Sequence, residues 1–155
     1  MIMLSSYKDV FSLFLNKVED YKAFPNYTEE MFFEIATNYL HDSCSEPKIR
    51  KLFEYITFDD VLLEFEFELK NPIDESTDAD FVKKLLSTAM VIEWLNPQLN
   101  STLNIQQMFG GKEEKFYAQS NHLNSIVNLH SYWTTKLHRL ISNRITDNNS
   151  YLNEG

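Results

Sequence analysis

Residues 62–70 read LLEFEFELK, a stretch in which acidic and apolar side chains alternate. As a β-strand, the stretch places three glutamates on one face and four apolar residues on the other, namely Leu63, Phe65, Phe67 and Leu69. As a helix, it would leave Leu63 and Phe67 in water, so the strand is favoured. The helical alternative stays open because residues 57–60 resemble a helix cap. A lone strand has unpaired backbone groups, so these residues should pair with an unrecognised short segment or with another chain.

The segments before this stretch have helical periodicity. Ser6 and Thr28 are typical N-caps, and apolar residues follow each of them at intervals of three and four. Pro47 suits the first turn of a third, short helix that reaches Ile56. Three helices are therefore predicted before residue 57.

After the alternating stretch and a loop, two helices are predicted. Thr77 or Asp78 is the expected cap of the first. Pro97 should end it, since proline lacks the backbone N–H that a helix interior requires. A second helix should begin at Pro97 and close at Gly110 and Gly111.

A long helix is predicted for residues 113–143, which contain neither proline nor glycine. At about 1.5 Å per residue it would be about 45 Å long, which exceeds the diameter of a compact domain of this size. Its apolar stripe is therefore expected to form a subunit interface, while burial inside a helical bundle is the equal alternative. The residues of this stripe are Phe116, Leu123, Ile126, His130, Trp133, Leu137 and Leu140.

Composition restricts the classes of function. The chain has 155 residues, enough for one domain with a substantial core. Its 14 lysines and arginines against 23 aspartates and glutamates give a net charge of −9, which argues against gripping nucleic acid through phosphates. A channel wall past which DNA slides is compatible with this charge. With one cysteine there is no internal disulfide, and no stretch resembles a signal peptide or a membrane span.

Three short motifs have some of the residues that ligand sites require. His41 and Cys44 could share a metal, but structural zinc needs four ligands and no second cysteine exists. Residues 109–114, FGGKEE, lack the residues of a phosphate-binding loop, and residues 74–80 lack the glycine and final glutamate of a calcium loop. No nucleophile lies in a recognisable catalytic context. The sequence therefore predicts no metal, no cofactor and no enzymatic activity.

The C-terminal segment differs from the rest of the chain. Residues 145–153, ITDNNSYLN, place a few apolar side chains among residues that prefer turns and caps, so they cannot form a core of their own. We expect a helical domain at residues 1–144 and an extended docking tail at residues 145–155. Tyr151 and Leu152 are the expected anchors, because a few buried aromatic and aliphatic groups usually carry most binding energy.

Three segments in this order resemble small proteins from the head-morphogenesis region of tailed bacteriophages and Gram-positive prophages. They are MVIEWLNPQLNS at residues 90–101, FGGKEEKFYAQSNHL at 109–123 and NNSYLN at 148–153. Within that group, small acidic helical proteins are similar to head–tail connector adaptors. The resemblance implies a mainly α fold, a helical bundle with one long C-terminal helix, to which residues 62–70 would add a short strand or hairpin.

The resemblance also implies a structural role in the virion neck, with the host cytoplasm as the place of assembly. The expected partners are a portal protein, a tail-side connector protein and further copies of the chain in a ring, twelve-fold in this family. Double-stranded DNA would pass through the ring without specific binding, and no membrane is involved. The residues expected to bind the portal are Ile145, Asn148, Asn149, Ser150, Tyr151 and Leu152.

A second hypothesis comes from the acidic runs at residues 59–68 and 74–80. These runs suit a non-virion assembly chaperone, or a small acidic inhibitor that mimics DNA and binds a host protein. Binding to a host enzyme without any portal would distinguish this hypothesis from the adaptor.

Overall fold

The computed structural model describes the backbone of residues 1–21, 23–109 and 113–153, and the side chains of residues 1–19, 21, 23–101 and 124–146. A short 3-10 turn, Glu19–Tyr21, follows the first helix. The regular elements, in chain order, are β1 Met3–Ser6, α1 Tyr7–Val18, α2 Glu29–Ser45, α3 Pro47–Arg50, β2 Phe53–Asp59, β3 Glu64–Leu69, α4 Glu75–Phe109 and α5 Glu113–Asn153. The fold is helix-rich, as predicted, and it contains a complete small sheet in addition.

The alternating stretch forms the central strand of that sheet. The strand order is β1-β3-β2, and both pairings are antiparallel, with Ser5 and Phe58 on either side of Phe65. Phe65, Phe67 and Leu69 are buried, which confirms the predicted strand and its apolar face. Leu63 lies in the preceding turn with φ of 56°, and its carbonyl accepts a hydrogen bond from the Tyr7 N–H at 2.9 Å.

Of the two expected kinds of partner for β3, an unrecognised short segment of the same chain is confirmed and another chain is wrong. Both edges of β3 are occupied by strands of its own chain, so its backbone groups are already paired. The sequence did not reveal these partners because β1 has only four residues and the first residues of β2 fall within the end of the predicted third helix.

The third helix is much shorter than predicted, ending at Arg50, and Phe53 and Ile56 belong to β2. The sequence of β2, FEYITFD, is rich in aromatic and β-branched residues that favour a strand once a partner is present. Phe53 is fully buried there. Tertiary pairing with β3 has decided the structure of this segment over its local helical spacing.

The caps of the first two helices are confirmed. The Ser6 side chain accepts a hydrogen bond from the Lys8 N–H at 3.2 Å, and Thr28 Oγ1 accepts one from the Met31 N–H at 3.2 Å. Helices α1 and α2 bury aromatic side chains against each other, with the rings of Phe11 and Phe32 at 5.9 Å. Helix α4 packs against both α1 and α2.

Helices α4 and α5 form an antiparallel hairpin, since Asp78 contacts Arg144 and Asn96 contacts His130. Helix α4 is capped by Asp74, whose Oδ1 accepts a hydrogen bond from the Thr77 N–H at 2.7 Å. The expected caps Thr77 and Asp78 are thus wrong, because both lie inside the first turns of the helix.

The predicted break at Pro97 is also wrong, because α4 runs through it as one helix of 35 residues. Pro97 lies on the exposed side of α4, while Leu95 is buried and Asn96 contacts α5. The side-chain amide of Gln98 donates to the Trp94 carbonyl at 3.1 Å, which adds a local hydrogen bond beside the proline. Packing of α4 against α5 beside the proline outweighs the one backbone bond that the proline removes.

Helix α5 has 41 residues, so its length is about 60 Å at about 1.5 Å per residue. The long C-terminal helix is therefore confirmed, and it is longer than expected. Residues 145–153 continue this helix, so the expectation of an extended tail is wrong for their backbone. Asparagine and serine each cost a helix less than about 1 kcal/mol relative to alanine, and an anchored helix can continue through them.

None of the helices, over the residues described, is both long and apolar enough to cross a membrane.

Candidate functional site on the helical hairpin

A buried ion pair fixes the hairpin at its α5 C-terminal end. Arg144 Nη2 donates to Asp78 Oδ1 at 2.5 Å and to the Asn71 carbonyl at 3.0 Å. The side chains of Arg144 and Asp78 are only 7% and 1% exposed. The guanidinium also lies 4.8 Å from the centre of the Phe81 ring, and Asp78 accepts the Ile73 N–H. Both charges are therefore satisfied and shielded, and the pair links α5 to the first turn of α4.

The apolar stripe of α5 is used inside the chain. Ile126, Trp133 and Leu137 are buried, and His130 Nε2 lies 2.9 Å from Asn96 Oδ1. Leu140 is half-buried. The described residues of the stripe therefore pack inside their own chain, which is the second of the two predicted alternatives. The side chains of Phe116 and Leu123, the other two stripe residues, lie outside the described set.

A cleft of about 330 Å³ lies between α1, α4 and α5 and is lined by positive charges. We call the four cations of this cleft the basic flank: Lys17, Lys84, Lys136 and Arg139. No carboxylate of the described residues lies within 4 Å of any of them. The Lys136 ammonium lies 5.2 Å from the ring centres of both Tyr132 and Trp133. The cleft is therefore a positively charged surface without a counter-ion in the described part of the chain.

The lysines of the basic flank lie close enough to one another for their charges to interact. The pKa of Lys17 is lowered, first by burial and then by repulsion from Lys136 and Lys84. The Trp133 indole N–H is buried and has no hydrogen-bond partner among the described residues. A negatively charged group beside these lysines would relieve the repulsion.

The other side of the hairpin carries the opposite charge. Asp42 and Glu46 at the end of α2 lie close enough to Glu93 of α4 to interact with it, and we call these three residues the acidic flank. The pKa of Glu93 is raised, first by burial and then by repulsion from Asp42 and Glu46. A cleft of about 220 Å³ adjoins them, and Lys48 and His138 also line it, 3.5 Å from each other. Over the described ranges, none of the three carboxylates has a cation within 4 Å.

A third polar cluster lies at the turn after β2. Asp60 Oδ1 accepts a hydrogen bond from the Tyr7 hydroxyl at 2.5 Å and lies 2.9 Å from His41 Nε2. These two bonds, the Tyr7 bond first, lower the pKa of Asp60. The pKa of Tyr7 is raised, chiefly by burial and then by the bond to Asp60. The cluster connects this turn to α1 and α2.

His41 thus contacts Asp60, while Cys44 is buried with its thiol pKa raised to about 12 by burial. Within the described part of the chain, no three metal-binding side chains come together.

Of the residues expected to bind the portal, Ile145 is 44% exposed on α5. The side chains of Asn148, Asn149, Ser150, Tyr151 and Leu152 lie outside the described residues.

Comparison of the chain with protein-family models, with curated proteins and with solved structures found no match.

Proposed function

We propose that this protein is a structural, non-enzymatic component of a tailed-phage virion, a head–tail connector adaptor that forms a ring beneath the portal and extends the DNA channel. The observation that carries the proposal is the α4/α5 hairpin. Helix α4 has 35 residues and α5 has 41, so the two antiparallel helices are about 50 and about 60 Å long at about 1.5 Å per residue. Helices of this length supply lateral surface for neighbouring subunits.

The far end of α5 supplies a second feature that supports the proposal. Arg144 lies opposite Asp78, so residue 147 lies opposite Glu75, where α4 begins. The remaining helical residues, 148–153, therefore extend beyond the start of α4. These are the residues of the NNSYLN segment on which the resemblance to connector proteins partly depends. In the proposal they dock on the portal as a helical end, and the acidic surfaces keep packaged DNA mobile.

The hypothesis of an acidic inhibitor is less well supported, because its acidic runs are partly used inside the chain. Glu66 accepts a hydrogen bond from the Tyr55 hydroxyl at 2.7 Å, and Glu68 pairs with the N-terminal amine at 2.9 Å. Asp74 caps α4 and Asp78 is buried. Carboxylates held in this way are poor mimics of a row of free phosphates. The assembly-chaperone form of the hypothesis gains no specific support from these contacts.

Deletion of residues 146–155 tests the proposal. The deletion spares the Arg144–Asp78 pair, so the melting temperature should stay nearly unchanged. Binding to the purified portal protein of the same genome should be lost. The double substitution Tyr151→Ala with Leu152→Ala removes the two expected anchors without shortening α5. It should also weaken binding, which separates the loss of these side chains from the loss of helix length.

Two outcomes would contradict the proposal. Retained portal binding by the deletion variant would place the contact elsewhere. A large fall in melting temperature would mean that the segment stabilises its own domain and is not free to dock.

A further inference from the structure

The basic and acidic flanks lie on opposite sides of the same hairpin. Lys84 and Glu93 are nine residues apart on α4, a rotation of about 900° at about 100° per residue, which leaves them half a turn apart. Lys17 of α1 lies on the side of Lys84, and Asp42 and Glu46 lie on the side of Glu93. Since the hairpin stands between the two flanks, neither can neutralise the other within one molecule.

Each flank therefore remains without a partner in the single chain, over the residues that the structure describes. The basic flank has four cations, one of which, Lys84, also lines an adjoining recess together with Asp80. The acidic flank has three carboxylates, with Lys48 as the cation that lines its cleft. The residual charges of the two surfaces are opposite in sign.

We propose that copies of this chain associate head to tail, with the basic flank of one copy against the acidic flank of the next. Two different surfaces of each subunit are joined, so the contact is heterologous and can close into a ring or extend into a filament. A second copy is the favoured occupant because every copy carries both flanks. The surface of complementary charge is therefore always present at the same concentration as the basic flank. The inference rests on the proposed function and deepens it by naming the surfaces between neighbouring subunits.

Charge reversal with complementation tests the contact. One variant, Lys84→Glu with Lys136→Glu and Arg139→Glu, leaves Lys17 beside three glutamates and so makes the basic flank acidic. The other, Asp42→Lys with Glu46→Lys, makes the acidic flank basic. All five side chains are exposed, so neither variant should unfold. A matched control for the first variant, Lys8→Glu with Lys51→Glu and Lys70→Glu, makes the same charge change at exposed sites outside the flanks.

Sedimentation velocity at low salt should show wild-type protein associating as its concentration rises. Each flank variant should associate at least about tenfold more weakly, while the control should match the wild type. An equimolar mixture of the two flank variants should recover association, because every contact in an alternating assembly is again between opposite charges. Raising the salt from about 50 to about 500 mM should weaken wild-type association.

Several results would overturn the inference: wild-type protein that stays monomeric up to millimolar concentration, flank variants that associate like the control, or a mixture that stays monomeric. Binding of inorganic tripolyphosphate by monomeric wild-type protein, lost with the basic-flank variant, would assign that cleft to a free anion instead. The deletion of residues 146–155 leaves both flanks intact. Portal binding and flank complementation can therefore fail independently of each other.

Discussion

At the scale of single residues, two ion pairs between helices differ greatly in burial. The Arg144–Asp78 pair is almost fully buried, whereas the side chains of Lys83 and Asp9 are 29% and 58% exposed. Removing one partner of a buried pair leaves the other charge unsolvated, which typically costs about 3–5 kcal/mol. An exposed pair contributes at most about 1 kcal/mol. We expect Asp78→Ala to reduce the free energy of unfolding by the larger amount and Asp9→Ala by the smaller.

Urea denaturation of the two variants measures this difference. Arg144→Leu combined with Asp78→Leu should cost less than the sum of the single substitutions, since the double variant buries no unpaired charge. Equal losses for Asp78→Ala and Asp9→Ala would show that the buried pair does not hold the hairpin.

The hydrogen bonds of Asp60 make the stability of the folded protein depend on pH. Hydrogen bonds from Tyr7 and His41 hold the pKa of Asp60 below its ordinary value in the folded protein. A carboxyl with a lowered folded pKa contributes stability above its unfolded pKa of about 3.9 and loses it as the pH falls through the folded pKa. We therefore expect the melting temperatures of the wild type and Asp60→Asn to differ at pH 5 and to converge as the pH falls below about 4.

Melting temperatures of both proteins between pH 5 and pH 2 measure the effect. Glu34→Gln removes an exposed carboxylate and serves as the control. Parallel loss of stability by the wild type and Asp60→Asn across this range would show that the Asp60 bonds contribute nothing to the acid transition.

At the scale of helices and strands, local signals predicted the elements that local interactions determine. Ser6, Thr28 and the alternation in β3 all report contacts within a few residues, and each was predicted correctly. The misses depend on distant partners. Strand β2 exists because β3 lies beside it, and α4 passes through Pro97 because α5 packs along it.

The charged flanks could not be predicted for the same reason. Lys17, Lys84 and Lys136 are each separated by more than 50 residues, and only the register of α1, α4 and α5 brings them to one cleft. The contact between α4 and α5 includes the buried pair of Arg144 and Asp78, two charged residues whose burial has no local signal in the sequence. The stripe of α5 was visible in the sequence, but the surface that covers it was not.

The α5 stripe allows a test at the element scale of the two alternatives that the sequence left open. Leu137 is 7% exposed in its own chain, whereas Val127 on the same helix is 44% exposed. We expect Leu137→Ala to reduce the free energy of unfolding by about 2–5 kcal/mol, because it removes buried methyl groups and leaves a cavity. Val127→Ala should change it by less than about 1 kcal/mol. Denaturant unfolding at low protein concentration measures both in the monomer.

If Leu137→Ala leaves the monomer as stable as Val127→Ala does but abolishes self-association, the stripe would belong to a subunit interface. That outcome would contradict the internal packing of α5 on α4.

At the scale of the whole molecule, the net charge of −9 conceals an uneven distribution. The net charge argues against binding phosphates. Yet four of the 14 lysines and arginines line one cleft, and no carboxylate of the described residues lies within 4 Å of them. Three carboxylates lie on the other side of the hairpin. A chain with separated charges can repel DNA as a whole and still attract another copy of itself in one orientation.

The hairpin also determines the shape of the monomer. A compact domain of 155 residues has an expected radius of gyration of about 15 Å. Helix α5, about 60 Å long at about 1.5 Å per residue, already exceeds the roughly 30 Å span of a small domain. We therefore expect small-angle X-ray scattering in high salt, with light scattering to verify a monomer, to give a radius of gyration clearly above the compact value. A value near about 15 Å would mean that the helices do not extend together, and the lateral surface on which the connector proposal depends would be absent.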